Sequence, residues 1–288
     1  MNARPRSRYV LIAVVAIAAL TLGLVGPHLW GSVTGGSAKD HIAADPQPRL
    51  FSEAEIRPAD DLVAAQQPIA HKLMQNWWAS HGTKADDAAF LSWLQRHFPE
   101  PPSKADRRKE LPQLKALRDQ HTKEKVAAAF WLEAHGKKDI WKLYAHDQAE
   151  WLPSKDGDAR KADVKALLKL SKKAQGKLTE SFRASSPYVL DRSLNHKSAD
   201  NKSHQVVNGC PCSYPSKHAA RAAAARMYLA KMQPHMTAQY RWMEDEIDWS
   251  RIYVAGHLPS DIAGGALLGD MIGEYYLVTH GMEPAPKA

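Results

Sequence analysis

Four residues within 249–261, W-S-R-I-Y-V-A-G-H-L-P-S-D, could do chemistry together: Ser250, Arg251, His257 and Asp261. Asp261 follows His257 by four residues. If Leu258, Pro259 and Ser260 form a turn that opens a helix at or just before Asp261, the carboxylate can reach back to one imidazole nitrogen. That fixes the tautomer and leaves the other nitrogen as a nucleophile. Arg251 adds a planar fork of donors that matches phosphate oxygens in pairs. A second histidine comes from Pro215-Ser216-Lys217-His218. Ser216 is a natural N-cap, and the alanine-rich run 219–231 is strongly helix-forming. His218 therefore falls in a first helical turn, where free N–H groups and the helix dipole favour an anion. Two histidines, an arginine and an aspartate point to phosphate chemistry.

The elements that must bring these segments together read as helices. Leu62, Leu73, Trp77, Trp78, Phe90, Trp93 and Leu94 recur at helical spacing between residues 60 and 97,. Pro99, Pro101 and Pro102 interrupt the pattern, and Ser103 is placed to start another helix. Helical spacing continues through 111–125, 126–135, 140–151 and 162–182, and almost no segment alternates with period two as strands do. The expected fold is predominantly α. Trp77, Trp78, Trp93, Trp131 and Trp151 read as packing residues. The acidic group Glu244, Asp245, Glu246 and Asp248 reads as an exposed helix face. Asp156-Gly157-Asp158 reads as a loop, since the ligand pattern of a calcium loop is not completed.

At 288 residues and 44% hydrophobic, the chain is long enough for one sizeable core or two small ones. The formal charge of +8 favours an anionic partner, although the lysine runs 104–125 and 155–177 read as solvated helix faces. Arg4, Arg6 and Arg8 precede the uncharged apolar run 9–25, the layout of an export signal,. Gly36-Ser37-Ala38 offers a cleavage site; uncut, the run would serve as a single anchor at the short end of membrane length. The expected division is 1–38 signal or anchor, 39–58 polar, proline-rich linker, and 59–288 one domain acting in the periplasm or otherwise outside the cytoplasm. The two cysteines, Cys210 and Cys212, flank Pro211 in a loop whose thiols are able to pair only in a strained ring. Two thiols alone do not make a metal site.

Pro215-Ser216-x-His218 followed by Ser250-Arg251-x5-His257-x3-Asp261 resembles the second and third signature motifs of the phosphatidic acid phosphatase type 2 superfamily. That superfamily includes bacterial non-specific acid phosphatases, lipid phosphatases and vanadium haloperoxidases. The resemblance covers residues 170–276 and is closest in layout to class A-like bacterial acid phosphatases. It implies a single helical-bundle domain and a metal-independent phosphomonoesterase without a cofactor. His257 would attack phosphorus to form a phosphohistidine, oriented by Asp261, and His218 would protonate the leaving alcohol. Arg251, Ser216, Ser250 and the backbone around Lys217 would hold the phosphoryl oxygens. The implied partner is a small phosphorylated substrate rather than nucleic acid, with phospholipid head groups within reach of an anchored form. Vanadate would act as an inhibitor or, in a haloperoxidase, as the cofactor on His257. The same motifs would also suit a lipid phosphate phosphatase or a catalytically weak phosphate-binding relative. The chain departs from the family pattern at Lys217, where glycine is usual, and at Thr179 and Ser186, where the first motif has lysine and arginine. Lys217, with Arg183 or Lys177, is expected to replace those charges.

Overall fold

The computed structural model describes residues 36–194 and 211–285. The apolar run at 9–25 and Cys210 lie outside the described residues, while Cys212 is disulfide-bonded. In order the helices are α1 (Ala38–Ala44), α2 (Glu53–Ala64), α3 (Gln67–His81), α4 (Asp87–His97), α5 (Lys104–Lys109), α6 (Leu111–Arg118) and α7 (Lys123–His135). They continue as α8 (Asp139–Glu150), α9 (Ser154–Phe182), α10 (Pro187–Leu190), α11 (Lys217–Met232), α12 (Thr237–Tyr253) and α13 (Pro259–Thr279). Among the described residues there is no strand, only an isolated bridge between Ser185 and Cys212. The fold is all-α. No helix among these residues is long and apolar enough to cross a membrane.

The most extensive packing joins α11 to α13, and it is built from small residues. A Cβ on Gly265 would lie 2.6 Å from both the Ser216 carbonyl oxygen and Ala219 Cβ; on Gly269 it would lie 2.5 Å from the Ala220 carbonyl oxygen. Backbone-to-backbone approach at this range needs glycine facing alanine. The contact carries the N-terminus of α11 onto that of α13, where the Ser216 N–H donates to the Asp261 carbonyl at 2.8 Å. The short step from glycine-rich helix to alanine-rich helix thus sets Pro215-Ser216-Lys217-His218 beside His257 and Asp261.

Four expectations about the chain are corrected. The supposed linker 39–58 folds: it contains α1 and the start of α2, and Ile42, Leu50, Phe51 and Ile56 are buried. Its proline-rich composition hid single apolar anchors spaced along a polar segment. Glu244, Asp245, Glu246 and Asp248 are buried rather than exposed. They are offset by Arg226, which binds Glu244 at 2.8 Å and Asp270, and by Arg241, which sits 3.3 Å from Asp245. The Phe51 N–H donates to Glu246 at 3.2 Å. Asp156, Gly157 and Asp158 lie within the first turns of α9, not in a loop. Trp77, Trp78, Trp93 and Trp131 are core residues as expected, but Trp151, just past the end of α8, is 86% exposed.

Candidate functional site

His218 lies in the first turn of α11, behind the Ser216 cap, whose Oγ accepts from the Ala219 N–H at 3.4 Å. His257 lies in the turn between α12 and α13. Ala255 there has φ 52°, a left-handed conformation unusual for a side-chain-bearing residue,. The turn folds back so that the N–H groups of Gly256 and His257 both donate to the Arg251 carbonyl, at 2.9 and 3.2 Å. A Cβ on Gly256 would lie 2.3 Å from Arg251 Nη2, so any larger residue there would push the guanidinium aside. The two imidazole rings meet edge to face with centroids 6.4 Å apart.

Asp261 is fully buried in the first turn of α13. Its Oδ2 accepts from the Leu258 N–H at 2.9 Å and lies 3.6 Å from His257 Nδ1, at the edge of hydrogen-bonding range. Its Oδ1 accepts from Arg107 Nη1 at 2.8 Å. Arg107, from α5, also donates through Nη2 to the Ser185 carbonyl at 2.8 Å and to Ser213 Oγ at 3.1 Å. One guanidinium therefore ties α5, the segment after α9 and the segment before α11 to the aspartate that backs His257. Burial would raise the Asp261 carboxyl, yet His257 and Arg107 hold it below its usual range.

Arg251 is buried at the end of α12, and its Nη1 lies 3.0 Å from Glu133 Oε2 on α7. The Glu133 carbonyl lies 3.1 Å from His218 Nε2, an acceptor that puts the ring proton on that nitrogen and leaves the buried Nδ1 without a partner. Arg221, one turn along α11 from His218, donates to the Lys137 carbonyl at 3.3 Å. Burial pulls the Lys217 ammonium down to about 7, and Lys137, Arg221, Lys172 and Arg251 deepen the shift. Burial also lowers Lys137 and brings Arg221 down to about 10. Both histidines are depressed, His218 well below its usual range. Burial is the leading cause for each, with Arg251 and Lys217 adding to it; Asp261 opposes it at His257. The arrangement is two neutral imidazoles in a concentration of cations, a place suited to an oxyanion.

The sequence-predicted residues divide accordingly. His218, His257, Asp261, Arg251, Ser216 and Lys217 are brought together. Ser250 is not available to a ligand: buried in α12, its hydroxyl donates to the Ile247 carbonyl at 2.6 Å. Lys177 reaches Gln95 on α4 at 3.4 Å, and Arg183 is exposed at the end of α9 with φ 48°. Neither joins the cations acting on His218. Thr179 and Ser186 are buried structural residues, Thr179 donating to the Tyr214 carbonyl at 3.1 Å. Arg107, Glu133, Lys137 and Arg221 escaped the sequence reading. Only Arg221 had a local signal, three residues after His218 and so on the same helix face. A groove of about 860 Å³ lined by Gln67, His71, Met227, Lys231, Asp270 and Glu274, among others, includes none of these residues.

Compared with known proteins, the chain matches no family model, no curated protein and no solved structure.

Proposed function

We propose that this protein is a phosphatase that hydrolyses phosphomonoesters through a phosphohistidine, delivered outside the cytoplasm by its basic and apolar N-terminal segment. The observation that carries the reading is the convergence of His218, His257, Arg251 and Asp261, from two segments distant in sequence, around one buried cationic cluster. His257 Nδ1 faces Asp261, so Nε2 is the nucleophile. In the first step the Nε2–P bond forms, the P–O bond to the leaving group breaks, and the alcohol leaves with a proton from His218. In the second, water attacks phosphorus, the P–N bond breaks, and the water proton passes to His218, releasing phosphate. Arg251, Lys217, Lys137 and Arg221 hold the phosphoryl oxygens. Lys137 and Arg221 take the part expected of Lys177 and Arg183.

His218 is neutral in the empty site, because burial and four neighbouring positive or ionisable groups oppose its protonation. A bound phosphate dianion reverses that local field and favours the imidazolium needed to protonate the leaving group. The test is hydrolysis of p-nitrophenyl phosphate by the purified chain in the presence of a chelator. Chelator-resistant, vanadate-inhibited turnover that disappears in His257→Ala is expected. Absence of turnover, or turnover that survives His257→Ala, rejects the proposal.

A further inference from the structure

Glu133 stands where an anionic ligand would. Its carboxylate lies 3.0 Å from Nη1 of Arg251. That arginine is 3% exposed, and neither its Nε nor its Nη1 makes an aligned hydrogen bond. The contact is thus an ion pair that leaves buried guanidinium donors unsatisfied, which a tetrahedral oxyanion with several oxygens could engage better. Glu133 is held at its backbone, where its carbonyl faces His218 Nε2 at 3.1 Å. Its side chain as a whole is 20% exposed, although the Oε2 that faces Arg251 is itself buried and makes no aligned hydrogen bond. The same carboxylate also favours the charged form of Lys137. An anchored backbone with a carboxylate at the edge of a cation cluster has the form of a counter-ion that can swing aside.

We infer that Glu133 is the internal counter-anion of this site: it occupies on Arg251 the place of a phosphate oxygen, and a phosphate binds by displacing it. The inference rests on the oxyanion site proposed above and not on catalysis there. Glu133 then determines affinity, because each ligand must replace an existing ion pair and bind beside the displaced carboxylate. Net positive charge alone does not do this; a remote carboxylate on the same helix, such as the exposed Glu124, is separated from the site by solvent screening.

The experiment is calorimetric titration of inorganic phosphate into the full chain at constant ionic strength. It compares wild type with Glu133→Gln, Glu133→Ala and the control Glu124→Gln, each checked for folding by thermal melting. Glu133→Gln is expected to bind phosphate about tenfold more tightly, ~1.4 kcal/mol, and Glu133→Ala to move in the same direction. Glu124→Gln should stay within about twofold of wild type. Equal or weaker binding in folded Glu133→Gln and Glu133→Ala overturns the inference, as does an equal gain in Glu124→Gln. If no protein binds phosphate, the inference and the oxyanion site fall together. Tighter binding in the Glu133 variants without p-nitrophenyl phosphate turnover in any of them supports the counter-anion and rejects the phosphatase.

Discussion

Arg107 offers the most informative perturbation of the architecture behind His257. Its ion pair with Asp261 is buried on both sides, with side-chain exposures of 2% and 0%. Removing the guanidinium by Arg107→Met leaves a fully buried carboxylate with the Leu258 N–H and His257 as its remaining partners. Breaking a buried pair from one side costs about 3–5 kcal/mol, most of it the penalty of the uncompensated charge. Urea unfolding followed by tryptophan fluorescence measures that loss as a shift in midpoint at constant slope. Asp261→Asn should cost a comparable amount by stranding Arg107. The double variant should therefore lose less than the sum of the single losses by about 2 kcal/mol or more. Arg107 acts by holding Asp261 and not by touching the phosphate. Arg107→Met should then lower kcat more than it changes KM, with partial rescue in Arg107→Lys. Single losses that add within about 0.5 kcal/mol, together with an unchanged kcat, would refute the reasoning.

Other predictions concern packing and pH. Gly265→Ala places a methyl group 2.6 Å from the Ser216 carbonyl oxygen, a backbone atom with little room to retreat; it should cost about 1–3 kcal/mol and lower the melting temperature, and unaltered melting would count against the close α11–α13 contact. Stability should fall as pH rises from 6.5 to 8, because burial lifts the Asp245 and Glu246 carboxyls to about 8. The folded state then holds protons that the unfolded state, with ordinary carboxyls, has already released, and each such group contributes a slope of at most about 1.4 kcal/mol per pH unit. His135, raised by Asp139 and Asp45 against burial, acts in the same direction, whereas Lys217, drawn down to about 7 by burial, opposes them with one proton against the two of Asp245 and Glu246; a melting temperature that rises across this window contradicts the burial of the acidic cluster. Because His257 must be neutral and both histidines are depressed below 6.5, kcat/KM should peak on the acid side of pH 6.5; a maximum at or above pH 7 would contradict the assigned roles.

What could be read from the sequence was whatever helical geometry determines locally. The four-residue step from His257 to Asp261 and the Ser216 cap before His218 are short-range relations, and both segments adopt the expected turn and first helical turn. The close contact of the α13 glycines with the alanine run of α11, by contrast, is a relation between two separate helices. Arg107, Glu133 and Lys137 were hidden because they arrive from α5, α7 and the turn after it. Their relevance exists only once those elements pack against α11–α13. Arg107 also sat within a basic run that solvation logic assigns to the surface. The same logic misplaced Glu244, Asp245, Glu246 and Asp248. Charged residues in succession read as solvated unless the countercharges on other helices, here Arg226 and Arg241, are known. Ser250 shows the converse limit: a motif position can be matched while its hydroxyl is taken by the helix that carries it.

The proposed hydrolysis passes through a covalent bond between His257 and phosphorus, and that bond can be trapped. The chain is mixed with p-nitrophenyl phosphate, quenched under alkaline conditions that preserve phosphohistidine, and analysed by intact and peptide mass spectrometry. One phosphoryl adduct is expected on the peptide containing His257, absent in His257→Ala and accumulating in His218→Ala when the leaving group needs no protonation. Turnover without an adduct, or an adduct on any other residue, would contradict it.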